Sequence, residues 1–155
     1  MNRIVIIFLK LGLVSVGLTI LGLSIFALPK LASYSVTMYP EYSHLQYPVL
    51  FGIYLTTLPF FYAIIQSWQL LNNVSNDRSF SSASIRSLVK IKYCALLIIA
   101  IYTVGMAVLL AYNALHPGIA LVGIAIIFTT LIIVSLTILF KGLVVNSKEM
   151  SSLLK

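Results

Sequence analysis

The chain has 155 residues, of which 61% are hydrophobic and only 8% charged, and its formal net charge is +7. A soluble domain carries about a quarter charged residues, so this composition excludes an ordinary water-facing surface and favours contact with lipid. The length fits one domain, 1–155, and the single cysteine, Cys94, excludes an intrachain disulfide.

Four apolar segments reach the length of about 20 residues that a membrane-spanning helix needs. They are predicted at about 4–28, 48–71, 93–115 and 118–140. The last contains only Thr and Ser as polar side chains, so it lacks the polar face of a helix in a soluble protein. The predicted fold is therefore all-α, an integral membrane four-helix bundle.

The first span begins after Arg3, is interrupted by Lys10 and is predicted to end at Pro29. Its apolar stretch is longer than that of a secretory signal peptide, so an uncleaved helix is favoured and a signal peptide is the alternative. Small residues recur along it at helical spacing and predict close approach of another helix. This stripe comprises Gly12, Ser15, Thr19 and Gly22.

The second span contains Pro59, which removes one helical hydrogen bond and predicts a kink. Thr56 and Thr57 are close enough in sequence to bond the freed carbonyl. A kink can act as a gate, but static packing is the more common role.

Two outer connections are expected, 29–47 and 116–117. The first is rich in Tyr and is interpreted as an interfacial segment on lipid headgroups, with a ligand-sensing cap as the alternative. Glu41 and His44 within it could pair, but two ligands do not make a metal site. The second is so short that the third and fourth helices must pack as antiparallel neighbours, with His116 as a turn residue.

The inner loop, 72–92, is the most polar stretch and is predicted to end in a short amphipathic helix capped by Ser81 or Ser82. It is interpreted as a helix on the inner leaflet, with a docking surface for a cytoplasmic partner as the alternative. The candidate contacts with lipid or partner are Arg86, Lys90 and Lys92.

The basic residues predict the orientation of the spans. On a four-span topology, Lys30 alone lies on one side, and the nine other Lys and Arg residues lie on the opposite side. Basic residues concentrate in cytoplasmic loops, so both termini and the inner loop are predicted to be cytoplasmic. The positive charge then reflects topology and attraction to anionic lipid, and direct nucleic-acid binding is not expected.

No Asp, Glu, Lys, Arg or His lies deep in the second, third or fourth span. Proton-coupled carriers usually need such a group, and intramembrane hydrolysis needs a nucleophile with a base or a metal. Cys94 has no His near it in the sequence and is interpreted as a packing residue or, less often, a lipidation site. The sequence therefore predicts no catalytic residue, no metal site and no cofactor, and a protein that is not an enzyme.

The central region resembles the YoaS-like family of small four-helix bacterial membrane proteins, a domain of unknown function. The resemblance is carried by Tyr47–Leu55, Pro59–Phe61, Leu70–Asn72, Phe80–Ser81 and Lys90–Cys94. It implies a multi-pass protein of the bacterial cytoplasmic membrane. Because such proteins are often encoded beside a small helix-turn-helix regulator, it also implies a membrane partner for a transcription factor.

Three functions remain open from the sequence. The first is a regulatory or sensory interaction protein that acts with a cytoplasmic partner such as a helix-turn-helix regulator. The second is a transport component or an immunity protein against a membrane-active peptide. The third is an accessory subunit that packs on a larger membrane complex, and an oligomer is compatible with each.

Overall fold

The computed structural model describes residues 3–76 and 81–153. Four helical rods in these ranges are long and apolar enough to cross a membrane, Arg3–Met38, Pro40–Ser75, Ser82–Ala111 and Pro117–Leu153. The predicted all-α fold with four long apolar helices is thus confirmed. In chain order the elements are α1 (Arg3–Gly22), a π-helical turn (Leu23–Ala27), α2 (Leu28–Met38), a 3-10 segment (Pro40–Leu45), α3 (Gln46–Ser75), α4 (Ser82–Ala111) and α5 (Pro117–Leu153).

The first helix does not end at Pro29, where the sequence predicts its end. A proline ring clashes with the carbonyl four residues before it in a regular α-helix. Here the backbone widens into the π-helical turn just before Pro29, and Leu28 N–H donates to the Leu23 carbonyl, five residues back. This wider turn lets the chain continue as α2, so the segment expected as an outer loop, 29–47, is mostly helical.

The connection between α3 and α4 is shorter than the predicted inner loop, because helix occupies both of its ends. Ser81 has extended backbone angles, and its Oγ accepts a hydrogen bond from Ser84 N–H at 3.2 Å. The predicted cap at Ser81 is confirmed, and the expected amphipathic lead is the first part of α4 itself. Residues 77–80, which include Arg78 and Phe80, lie outside the described residues.

The connection between α4 and α5 is a tight turn at Asn113, which has a positive φ of 54°. Asn113 N–H donates to the Leu110 carbonyl, and Ala114 N–H donates to the Leu109 carbonyl. This is the Schellman arrangement that ends many helices, with Asn in the left-handed position usually taken by Gly. His116 Nδ1 then accepts from Gly118 N–H at 3.2 Å at the start of α5, which agrees with its interpretation as a turn residue.

The helices pack in chain order: α1 and α2 on α3, α3 on α4, and α4 on α5. Among the described residues, no comparable interface joins α1 to α4 or α5. The accessible surface is 10656 Å², against about 7,700 Å² for a compact soluble monomer of this mass. Most of the large apolar side chains are exposed, as expected where lipid is the solvent.

The face of α1 that packs on α3 is not the stripe of small residues. Gly17 is the close-approach position, because a Cβ there would lie 3.4 Å from Ile64 Cδ1 on α3. The stripe of Gly12, Ser15, Thr19 and Gly22 lies outside this contact, and an added Cβ at Gly12 or Gly22 would meet nothing within 4 Å. Contact of the stripe with a helix of another chain stays a prediction.

Pro59 is buried within α3, which continues as one helix from Gln46 to Ser75. The carbonyl that it leaves without a helical donor belongs to Leu55, four residues earlier. The expected role of the two threonines is wrong, since Thr56 Oγ1 donates to the Ile53 carbonyl and Thr57 Oγ1 to the Tyr54 carbonyl, both at 2.6 Å.

Candidate functional site at the basic end

The start of α1, the end of α3, the start of α4 and the end of α5 meet at one end of the structure, called here the basic end. Two lysines join these helices. Lys10 Nζ donates to Asn72 Oδ1 at 2.6 Å, which links α1 to α3. Lys148 Nζ donates to Ser82 Oγ at 2.9 Å, which links α5 to α4. Lys10 and Lys148, which the sequence predicts on one side of the membrane, therefore lie at the same end of the structure as Arg86 and Lys90.

Lys10 also lies over the ring of Trp68, with Nζ 5.0 Å from the ring centroid. A lysine within an apolar span is costly unless its ammonium reaches polar partners. Here the end of α3 supplies an indole face and an amide oxygen, so the charge is paired without a carboxylate. Trp68 has the amphipathic ring that is favoured at membrane–water interfaces.

A polar cavity of about 340 Å³ lies between the end of α3 and the start of α4, and we call it the amide cavity. Of the lining side chains that the structure describes, none is acidic, and four carry amides from the last turns of α3. Its lining comprises Gln66, Gln69, Asn72, Asn73, Ala83, Arg86, Ser87 and Lys90. The cavity thus combines amide groups from one helix with two cations from the next.

Gln66 is the most buried residue in the lining of the amide cavity. The residue is 3% exposed, and its Oε1 has no hydrogen-bond partner among the described residues. A buried amide oxygen without a donor loses its bonds to water and gains nothing in exchange, which costs roughly 1–3 kcal/mol. Gln66 therefore brings to the lining of the cavity a buried acceptor that no described donor satisfies.

Arg86 and Lys90 lie one helical turn apart on α4 and both line the cavity. Lys90 Nζ is also 5.9 Å from the centroid of the Tyr62 ring on α3. Lys92, the third predicted contact residue, lies outside the lining and places its Nζ 5.2 Å from the Tyr93 ring centroid. The structure thus brings two of the three predicted residues together and separates the third.

A second groove, of about 380 Å³, lies where the start of α4 faces the last turns of α5. Its lining mixes apolar and charged side chains and comprises Ile85, Val145, Lys148, Glu149 and Ser152. At 1.5 Å per residue, the 37 residues of α5 are about 55 Å long, well beyond the roughly 30 Å of hydrocarbon. The last turns of α5 therefore extend past the apolar part of the helix. We call the groove that they form with α4 the terminal groove.

The opposite end of the structure is rich in tyrosine and joins the two predicted outer connections. Tyr42 Oη donates to the Asn113 carbonyl at 3.1 Å, and the rings of His44 and Tyr112 lie 5.6 Å apart. His44 thus contacts the ring of the residue that follows α4, and within the described residues it forms no ion pair with Glu41. No group of three or more His, Cys, Asp or Glu side chains that could hold a metal occurs in the described ranges.

Gln66 is the functional candidate that the sequence analysis missed. Gln66, Gln69 and Asn73 recur three and four residues apart and so lie on one face near the end of α3. That spacing predicts a polar stripe in the last turns of an otherwise apolar helix. The depth of Gln66 was not predictable, because it depends on how closely α4 packs on α3.

Comparison with known proteins confirms the resemblance read from Tyr47–Leu55 and the later segments. A family model described as "Protein of unknown function (DUF2975)" matches residues 30–152. The uncharacterized membrane protein YoaS of Bacillus subtilis (strain 168) is 42% identical over 135 residues, which cover 86% of this chain and 84% of that protein. No solved structure matches.

Proposed function

The chain belongs to the DUF2975 family of proteins of unknown function, and from that premise we propose that it is a regulatory or sensory interaction protein whose basic end binds a cytoplasmic protein. It is a multi-pass membrane protein, with four long apolar helices and a relative named as a membrane protein. Neither the family nor the relative carries an assigned catalytic activity.

The observation that carries the proposal is the terminal groove. Ile85 and Val145 supply apolar contact, while Lys148 and Glu149 supply charge at the same groove. Protein interfaces combine an apolar centre with a polar rim in this way. The bias of basic residues supports a cytoplasmic location for this end.

The other end of the molecule suits partner binding less well. There the two connections already bind each other, through the hydrogen bond from Tyr42 to the Asn113 carbonyl and the contact between the His44 and Tyr112 rings. A sensory input at that end would have to act through the helices, whereas a partner at the basic end meets a groove directly. The proposed partner is a cytoplasmic regulator, such as a helix-turn-helix protein, that presents an apolar side chain beside a carboxylate to match Lys148.

The test is recovery of the partner with the full chain, tagged and extracted from its own membranes in a mild detergent. The double variant Val145→Ser, Lys148→Ser should reduce recovery of one cytoplasmic protein by roughly tenfold, since it removes an apolar contact and a charge. The matched control is Lys141→Ser, which removes a positive charge from the same helix outside the groove. Equal recovery with the double variant and the control would contradict the proposal.

A second candidate, an accessory subunit of a larger membrane complex, is favoured by the exposed stripe on α1. Gly12, Ser15 and Thr19 are exposed, and they would let a helix of another protein approach closely. Native mass measurement in nanodiscs tests this candidate, because an obligate subunit should be recovered with other chains. A monomer without another chain would rule it out.

A further inference from the structure

We propose that the amide cavity binds a phosphate ester that carries a free hydroxyl group, the chemistry of a glycerol phosphate headgroup. The proposal goes beyond the proposed function, since it concerns a different cavity and a different class of ligand. The shared chemistry is found in an anionic glycerophospholipid of the inner leaflet and in a soluble glycerol phosphate. The position of the cavity favours the lipid.

The charge of the lining selects an anion. Arg86 and Lys90 both line the cavity, and no lining residue among those that the structure describes carries a negative charge. Of the acidic residues that the structure describes, Glu149 lines the terminal groove and Glu41 lies in the 3-10 segment at the tyrosine-rich end. Within the described ranges, the two cations therefore share their cavity with no carboxylate, and an Arg beside a Lys suits the oxygens of a phosphate.

The buried amide selects the hydroxyl. Gln66 Oε1 has no donor among the described residues, and Gln66 lines the same cavity as the two cations. A bare phosphate diester offers only acceptors, so it would leave this oxygen unpaired. A glycerol group offers a hydroxyl donor beside the phosphate, so one ligand can satisfy both ends of the cavity.

The size and the level of the cavity fit such a headgroup. Its volume of about 340 Å³ lies at the lower end of the range for small-molecule sites, about 300–1,000 Å³. Trp68 lies among the same turns of α3 as the lining residues, and tryptophan marks the headgroup level of a bilayer. A lipid can therefore place its headgroup between α3 and α4 while its acyl chains stay among the exposed apolar side chains.

The experiment uses the purified, delipidated full chain and native mass spectrometry with added phosphatidylglycerol as the probe. Phosphatidylcholine, which has a phosphate but a methylated cation in place of the hydroxyls, is the lipid control. The wild-type chain should bind phosphatidylglycerol roughly tenfold more tightly than the Arg86→Gln, Lys90→Gln variant, because charge-assisted bonds are the strong ones. The control variant Lys92→Gln lies on the same helix outside the cavity and should change binding by less than about twofold.

Three further variants test whether binding depends on this cavity or on general attraction to a positively charged protein. Lys90→Arg keeps the charge and should keep the binding, whereas Lys90→Gln should lose part of it. Gln66→Leu should reduce binding of phosphatidylglycerol and leave the weaker binding of phosphatidylcholine unchanged. Helical circular dichroism and size-exclusion profiles of each variant report whether the chain stays folded.

The outcomes decide the proposal and the source of the ligand. Equal loss in the Arg86→Gln, Lys90→Gln variant and in Lys92→Gln would mean general attraction to a basic protein and would overturn the site. No effect of Gln66→Leu would overturn the hydroxyl contact. Displacement of the lipid by glycerol 3-phosphate would assign the soluble ester, and retention of the lipid would assign the headgroup. Loss of partner recovery in the Val145 and Lys148 variants is measured separately, so the two proposals fail independently.

Discussion

α4 and α1 are both long apolar helices, but they are held in the molecule by different forces. α4 lies between α3 and α5 and buries seven residues, Ser84, Ser87, Leu88, Ile91, Cys94, Ala95 and Leu109. Among the described residues, α1 has a substantial interface with α3 but with neither α4 nor α5, and it buries Ile6 and Gly17. Its attachment includes the polar contact of Lys10 with Asn72 and, at the π-helical turn, the bond from Tyr54 Oη to the Ser24 carbonyl, 2.8 Å long.

This difference between α4 and α1 shows that hydropathy does not predict how firmly a helix is held by its neighbours. In lipid, an apolar side chain gains little by moving from the acyl chains to another helix, so steric fit and hydrogen bonds decide which helices stay together. α4 packs closely against α3 on one side and α5 on the other. α1 has one close approach at Gly17 and two polar contacts, so we expect α1 to be the more easily detached.

The largest expected effect is on the close fit of α4 with α5. A Cβ at Gly123 would lie 2.5 Å from Met106 Sδ, so Gly123→Leu overfills this contact. We expect it to lower the free energy of unfolding by about 1–3 kcal/mol, measured by thermal unfolding of the full chain in one detergent. Gly142→Leu is the matched control, because nothing lies within 4 Å of the added Cβ. A similar loss in both variants would mean that the fit at Gly123 is not what stabilises α4.

The next effect tests the polar attachment of α1. Asn72→Ala removes the acceptor of Lys10 Nζ without changing the net charge, and a contact of this kind contributes about 1 kcal/mol. We expect the distance between spin labels on α1 and α3 to lengthen or broaden at the basic end. Asn146→Ala, on α5, is the control. An unchanged distance distribution would show that Trp68 and packing suffice to hold α1.

The smallest expected effect is at the π-helical turn. Tyr54→Phe removes the hydroxyl that bonds the Ser24 carbonyl, and such bonds in membranes contribute about 0.6 kcal/mol on average. A small fall in the temperature of thermal unfolding should follow. Tyr62→Phe is the control on the same helix, because Tyr62 contacts Lys90 with its ring and the variant keeps that ring. An equal fall in the unfolding temperature of the control would mean that the bond from Tyr54 to Ser24 does not help to attach the first helix.

Hydropathy predicted the four long apolar helices, because it depends on segments of many residues. The end of the first helix was predicted wrongly, since a single Pro29 can be accommodated by a local π-helical turn that has no sequence signature. The stripe of Gly12, Ser15, Thr19 and Gly22 predicted a contact face, but the close approach within the chain occurs at Gly17. Small size permits close approach, but it does not select the neighbour.

The candidate sites show the same limit. Arg86 and Lys90 were identified from charge and helical spacing alone, and both line the amide cavity. Lys92 was grouped with them, although two further residues along a helix turn a side chain by about 200°. Gln66 was not identified, since an amide gives no signal in sequence until the facing helix is known.

Packing in chain order has a consequence for biogenesis. As the chain leaves the ribosome, each newly inserted helix meets the helix synthesised just before it, and that neighbour is its packing partner. No substantial interface between the described helices has to wait for a partner far along the chain, so little loop-closure entropy opposes assembly. The tight turn at Asn113 couples the last two helices still further, and we expect them to enter the bilayer as one hairpin that completes the fold.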